Sequence, residues 1–241
     1  MAARLEFLDA QQTPMGVISL RRRHDPVSDQ IVYEAKLDDE FLMSSLFTAA
    51  EEEVARLALV EVEVDGDGLD VVVGGLGLGY TAHTVLADPR VRSLIVVDAL
   101  GQVIDWHERQ LLPLGKVLTS DSRCRLIQGD FFALAAGDGF DADKPDRQFD
   151  AIIVDIDHSP RELLHPSHAG FYEPAGIHRL VEHLRPGGVF SLWSNDSPDA
   201  VYTAELEAVF VDVRTEVVRF DGALQGREAT NTVYVARRPT E

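Results

Sequence analysis

The chain has 241 residues, 45% of them hydrophobic, with 22 Lys plus Arg against 41 Asp plus Glu and a formal net charge of −19. That excess of acid argues against a nucleic-acid backbone or an anionic membrane as partner, since both demand a basic face, and it suits a neutral or cationic small-molecule substrate; most of the charge is a solvated acidic surface. The single cysteine, Cys124, excludes an internal disulfide, and "MAARLEFLDA" has acids where the apolar core of a secretory signal would stand, so a reducing, cytoplasmic location is expected.

In chain order, "GVISLRRRHDPVSDQIVYEAKL" (16–37) places two alternating runs around a cluster of turn formers and predicts a β-hairpin. Its Arg21-Arg22-Arg23 run reads as an exposed strand end whose charges discourage edge pairing. Asp38 or Asp39 then stands where a helix cap is expected, and Leu42, Leu46, Ala50, Val54 and Leu57 fall near one face of the helix that follows. "DGDG" at 65–68 marks the expected boundary between an N-terminal hairpin-and-helix extension, residues 1–64, and a main domain, residues 65–241. From there strands and helices alternate: "LDVVVG", a helix over 79–88, "SLIVVD", a helix over 100–112, "CRLIQG", "FDAIIVDI", a loop and a helix near 174–184, "GGVFSLWS", and a helix over 199–209. Strands buried on both faces with intervening helices predict an α/β fold with a doubly wound, mostly parallel sheet. "VDVRTEVVRF" and "NTVYVARR" lack a crossover helix, so they must pair antiparallel or part company.

The stretch "DVVVGGLGLGY", Asp70 to Tyr80, runs from β-branched residues straight into glycines. Open parallel sheets bind ligands beyond the carboxyl ends of their strands, so Gly75, Gly77 and Gly79 are expected against a ligand. Their spacing is G-x-G-x-G, and Tyr80 occupies the place of the last glycine of a dinucleotide fingerprint. The next strand ends at Asp98, about twenty residues on, where an acid can hydrogen-bond both hydroxyls of a ribose; a cap for the helix starting near Leu100 is the alternative. The third strand runs into Asp130 and the fourth into Asp155, so three strand ends carry carboxylates on the ligand side. His158, His165 and His168 fall in a proline-containing stretch whose spacing fits no single helix face; it is expected to be a lid, with His158 facing substrate and no metal bound. Ser194, Asn195 and Asp196 follow the fifth strand and either contact substrate or cap the next helix, Trp106 reads as a core anchor, and Cys124 as a small buried thiol.

The order "VVVGGLGLG", "VVD", "QGD", "FDAIIVDIDHSP", "LRPGGVF" resembles the class I S-adenosylmethionine-dependent transferases over residues 69–195, and within them the spermidine synthase-like group, linked to polyamine biosynthesis. The resemblance implies a seven-stranded Rossmann-like methyltransferase sheet whose last strand is antiparallel, with a small N-terminal β-hairpin extension. It implies S-adenosylmethionine or its decarboxylated form as cofactor, with the glycine loop at its methionine end, Asp98 on the ribose, and Asp130 and Phe131 framing the adenine. Asp155 would stand near the sulfonium, and it is the candidate either for the base or for holding the acceptor amine, with His158 as its alternate. Polyamine-making members carry G-G-G-D-G-G, where Leu78 holds the acid's position here; a Tyr-His pair, where this chain has Met43-Ser44; and D-x-x-D-P, where it reads Asp155-Ile156-Asp157-His158-Ser159-Pro160. These departures put methyl transfer slightly ahead of aminopropyl transfer, with a non-catalytic nucleoside-binding relative and a nicotinamide enzyme as rivals. A small-molecule acceptor is expected, and a homodimer is left open.

Overall fold

The computed structural model describes residues 5–13, 16–63, 66–222 and 227–240. Strands β1 (Glu6–Thr13), β2 (Gly16–Asp25), β3 (Gln30–Leu37) and β4 (Glu40–Ser44) form an antiparallel sheet in that order. The expected hairpin is β2–β3, but two strands flank it. The arginine run therefore lies on an inner strand: Arg21 and Arg23 pair with Glu34 at 2.7 and 2.9 Å, and Arg22 with Glu6 at 2.8 Å. Asp38 is not a helix cap either. It turns the chain into β4 with a φ of +51°, and its side chain accepts from the Val17 N–H at 2.8 Å. Helix α1 (Ala49–Glu61) starts after Thr48, so Leu42 and Leu46 precede it, and its buried face is Ala50, Val54, Ala55, Ala58 and Leu59.

The main sheet is assembled from β5 (Leu69–Gly74), α2 (Tyr80–Ala87), β6 (Val91–Asp98), α3 (Gly101–Glu108), α4 (Gly115–Ser120), β7 (Cys124–Gln128), α5 (Phe131–Ala136), β8 (Phe149–Val154), a 3-10 helix (Pro166–Phe171), α6 (Pro174–Glu182), β9 (Leu184–Ser194), α7 (Ala200–Glu207), β10 (Val211–Gly222) and β11 (Arg227–Arg237). The strand order is β10-β11-β9-β8-β5-β6-β7. Strands β5 to β9 are parallel, and β11 runs antiparallel to both β9 and β10. This is the doubly wound α/β sheet with an antiparallel last strand that the alternation predicts. The Pro186-Gly187-Gly188 segment is a bulge inside β9: Leu184 pairs with Phe149 and Val189 with Ala151, and Gly187 takes up the excess at φ +76°. The helix expected over 100–112 stops at Glu108, with Gln110 at φ +58°. Part of the 65–68 loop and of the link between the last two strands falls outside the described residues.

Alternate strand residues feed two cores. Val71, Val73, Leu94, Val96 and Ile153 pack with α1, α2, α3 and α4, whereas Val72, Ile95, Val97, Ile152 and Val154 pack with α5, α6 and α7. Helix α1, although it precedes the expected domain boundary, lies on the large sheet, where Ser191 donates to the Val54 carbonyl at 3.0 Å. Trp106 is fully buried and its Nε1 donates to Asp9 at 2.7 Å, fastening β1 to α3. Burial pushes the Cys124 thiol up to about 12, so it is inert as a nucleophile. Among the described residues no helix is long and apolar enough to cross a membrane.

Candidate functional site

Strand order reverses around β5, between β6 and β8, and a cleft of about 610 Å³ opens there beyond the carboxyl ends of the strands. The glycine loop forms its near wall. Gly75, Gly77 and Gly79 all have positive φ, at +92°, +49° and +95°. Their reasons differ. A Cβ on Gly75 would lie 2.0 Å from the Asp155 carbonyl oxygen, and one on Gly79 2.7 Å from Leu118 and 2.9 Å from His107. Both positions are closed by the protein itself. A Cβ on Gly77 would meet only the Met43 sulfur, at 3.4 Å, so of the three loop glycines lining the cleft this is the one with room for a side chain. His107 holds the loop from behind: its Nε2 donates to the Gly77 carbonyl at 3.0 Å, burial lowers its pKa, and Nδ1 has no hydrogen-bond partner among the described residues. Gly74 is bare because the Phe131 ring lies under it, 2.6 Å from where a Cβ would sit. Phe131 is thus 2% exposed and stacked on Phe140 at 4.9 Å.

Asp98 serves the backbone on both sides, accepting from the Leu76 N–H at 2.9 Å and the Leu100 N–H at 2.8 Å. It therefore ties the glycine loop to the residue before α3, whose N-cap is Leu100 without a side-chain cap bond, so Asp98 is not the helix cap. Burial raises its pKa against the three backbone donors that lower it. Asp130 caps α5 through the N–H groups of Phe132 and Ala133, at 2.9 and 3.1 Å.

Asp155 and Asp157 point to opposite sides of the sheet. Asp155 accepts one side-chain hydrogen bond, from the Thr81 hydroxyl at 2.8 Å, and burial pushes its pKa up to about 6. Glu51, in the first turn of α1, lines the same cleft; burial first and the Asp155 charge second raise its carboxyl well above the usual range. Glu51 is the residue that sequence reasoning missed. Its signal is an acid three, four and seven residues before Val54, Ala55 and Ala58, on the buried face of α1. Asp157, by contrast, is fully buried and accepts from His168 Nδ1 at 2.8 Å, the Tyr172 hydroxyl at 2.9 Å and the Leu164 N–H at 2.8 Å. It is a structural anchor.

The three histidines take three different positions. His158 lines the cleft with Nε2 3.6 Å from Glu40, His165 caps the 3-10 helix through the Ser167 N–H at 3.2 Å, and His168 stacks on Phe132. Asn195 lines the cleft and accepts from Asn231 at 3.0 Å, while Ser194 is buried and accepts from the Asp196 N–H at 3.2 Å. Among the described residues no group of three His, Cys, Asp or Glu side chains is arranged to hold a metal ion.

No family model matches the chain. Solved structures that share its fold include two spermidine synthases. One is a spermidine synthase in complex with the transition-state analogue AdoDATO, with a TM-score of 0.74 at 16% identity, covering 98% of this chain and 75% of that one. The other is a spermidine synthase from Thermotoga maritima, with a TM-score of 0.71 at 16% identity, covering 98% of this chain and 73% of that one. The expected α/β architecture, a mostly parallel seven-stranded Rossmann-like sheet with an antiparallel last strand and an N-terminal antiparallel extension, is therefore the observed one, and these spermidine synthases share that fold.

Proposed function

We propose that the chain is a transferase that binds an S-adenosyl nucleoside in this cleft and alkylates an amine, with aminopropyl transfer from decarboxylated S-adenosylmethionine as the leading reaction. The observation that carries the proposal is the Glu51–Asp155 pair. Two carboxylates sharing a buried site cannot both ionise without a counter-charge, and an amine cation between them supplies it. This reverses the order of transfers expected from sequence, because Glu51 provides an acid in place of the one that the Leu78 departure had removed. The likeness to spermidine synthases, one of them bound to AdoDATO, supports the same reading. Leu78, 4% exposed within the apolar core, is what still favours methyl transfer as the second reading.

The residues fit such a nucleoside. Gly77 leaves space for it at the loop, the cleft has the volume of a small-molecule site, and the Asp98 carboxylate has accepting capacity beyond its three backbone donors for a ribose hydroxyl. Asp130 and Phe131, which the resemblance assigns to the adenine, line the same cleft. The bound donor supplies a carbon next to a sulfonium, already poised for displacement. The chain's task is then orientation and one proton. Asp155, with a pKa near 6, takes that proton from the acceptor ammonium and leaves a nucleophilic amine; Thr81 keeps the receiving oxygen in place. Glu51 holds the acceptor's charge until then. His158, at the cleft wall, orients the acceptor's far end.

The test is calorimetric titration with decarboxylated S-adenosylmethionine, S-adenosylmethionine, methylthioadenosine and NAD, followed by product analysis with mono- and diamines. Binding of the adenosyl compounds but not NAD, with methylthioadenosine formed only when an amine is present, is expected. Methylated product instead promotes the second reading, and binding without turnover of any amine overturns both.

A further inference from the structure

The loop after β8 and the 3-10 helix bring one imidazole to the cleft with its chemistry already set. A carboxylate only accepts hydrogen bonds, so all three groups around buried Asp157 are donors, His168 Nδ1 among them at 2.8 Å. A ring that carries its single proton on Nδ1 keeps its lone pair on Nε2. Nε2 has no hydrogen-bond partner among the described residues, and His168 lines the cleft whereas Asp157 does not. The ring is also held in plane, stacked on Phe132 with centroids 3.9 Å apart and an interplanar angle of 24°. Phe132 is in turn packed edge-on against Phe171, at 5.1 Å.

A fixed acceptor on an aromatic wall suits the edge of a flat heterocycle that carries an N–H. The location says which part of the ligand that is. His168 stands on the α5 side of the sheet beside the Asp130 cap, whereas Glu51 and Asp155 occupy the α1–α2 side. We infer that His168 is a base-reading residue: its Nε2 accepts a hydrogen bond from the exocyclic amino group of a 6-aminopurine, and Asp157 is the positioning residue that holds the tautomer. The inference rests on the nucleoside reading above and adds the basis of its selectivity. A 6-oxopurine would set a carbonyl oxygen against the Nε2 lone pair, two acceptors face to face.

The experiment titrates 5′-methylthioadenosine and its 6-oxo counterpart, 5′-methylthioinosine, into the full chain, into His168→Phe and into Asp157→Asn, with melting curves to confirm folding. The wild type should prefer the amino form by about tenfold or more, the worth of one hydrogen bond that the oxo form cannot make. His168→Phe keeps the stacked ring and should shrink that preference to about threefold or less. Asp157→Asn should shrink it too, by freeing the tautomer. If His168→Phe does not fold, His168→Leu replaces it. A folded variant with the wild-type preference, or one that loses both ligands equally, overturns the inference. If the wild type binds neither nucleoside, the underlying nucleoside reading has failed before any variant is measured.

Discussion

Asp155 and Asp157 leave the same strand end two residues apart and are both shielded from bulk water, yet they are opposites. Asp157 is surrounded by three donors, at 2.8 to 2.9 Å. Asp155 has one side-chain donor and an acidic neighbour, and its pKa is pushed up to about 6. Burial is common to both, so burial alone does not decide what a carboxylate does. The count of donors does. A fully bonded acid fixes structure, and an under-bonded one beside a like charge is held in readiness for a cation.

The sharpest way to break the contrast is to neutralise each acid in turn. Asp155→Asn should lower kcat by roughly 10²–10⁴, the usual worth of a general base, and leave nucleoside affinity nearly unchanged. Asp157→Asn should do less to kcat and more to the fold. An amide offers one accepting oxygen where the carboxylate served three donors, a loss of about 1–3 kcal/mol in unfolding free energy. Steady-state kinetics and urea unfolding on both proteins decide the matter. Equal kinetic damage from the two substitutions would erase the distinction.

The pH dependence of stability separates them next. Asp155 titrates near 6 when folded against an ordinary value of 3.8. Below 3.8 it is protonated in both states and has no effect. As pH rises towards 6 the unfolded carboxyl ionises first, the unfolded state is favoured, and the wild type loses about 2–3 kcal/mol by pH 7. Asp155→Asn lacks this loss, so its stability relative to wild type should climb between about pH 4 and 6 and then level off. Urea midpoints at closely spaced pH values check this, and a difference that stays constant with pH contradicts the raised pKa.

How much of this was legible in the sequence follows from range. The strands β5, β6, β8 and β9 announce themselves through apolar runs buried on both faces, and the carboxylates at their ends are placed by the topology rule alone. Asp38 was misread because its partner, Val17, is 21 residues away; a lone Asp before an apolar run looks the same as a cap or as a turn. That error moved the helix start and hid Glu51, whose place on a buried face is evident only once α1 begins at Ala49. The Asp157–His168 bond spans 11 residues of irregular loop and has no periodic signature at all. For the glycines the motif was visible and the reasons were not: two are closed to a side chain by neighbouring side chains and backbone, and Gly77 has room for one.

The smallest expected effect probes the single donor that keeps Asp155 from being wholly bare. The Thr81 hydroxyl lies 2.8 Å from the Asp155 carboxylate and 3.1 Å from the Glu51 carbonyl, and its one proton belongs with the nearer, charged acceptor. Thr81→Val keeps the branched shape and removes that proton. The loss of one hydrogen bond should cost about 0.5–1.5 kcal/mol of stability near neutral pH. The same bond lowers the Asp155 pKa, so its removal moves that pKa further up. At pH 5 most of the folded Asp155 is already protonated and needs the donor less, which makes the variant's deficit smaller there than at pH 7. The activity profile should shift in the same sense, its acidic limb moving to higher pH while the plateau falls only modestly. A limb that stays in place after Thr81→Val, with the fold intact, would mean that the hydroxyl serves Glu51 alone and that Asp155 owes its state to burial and its neighbour without help.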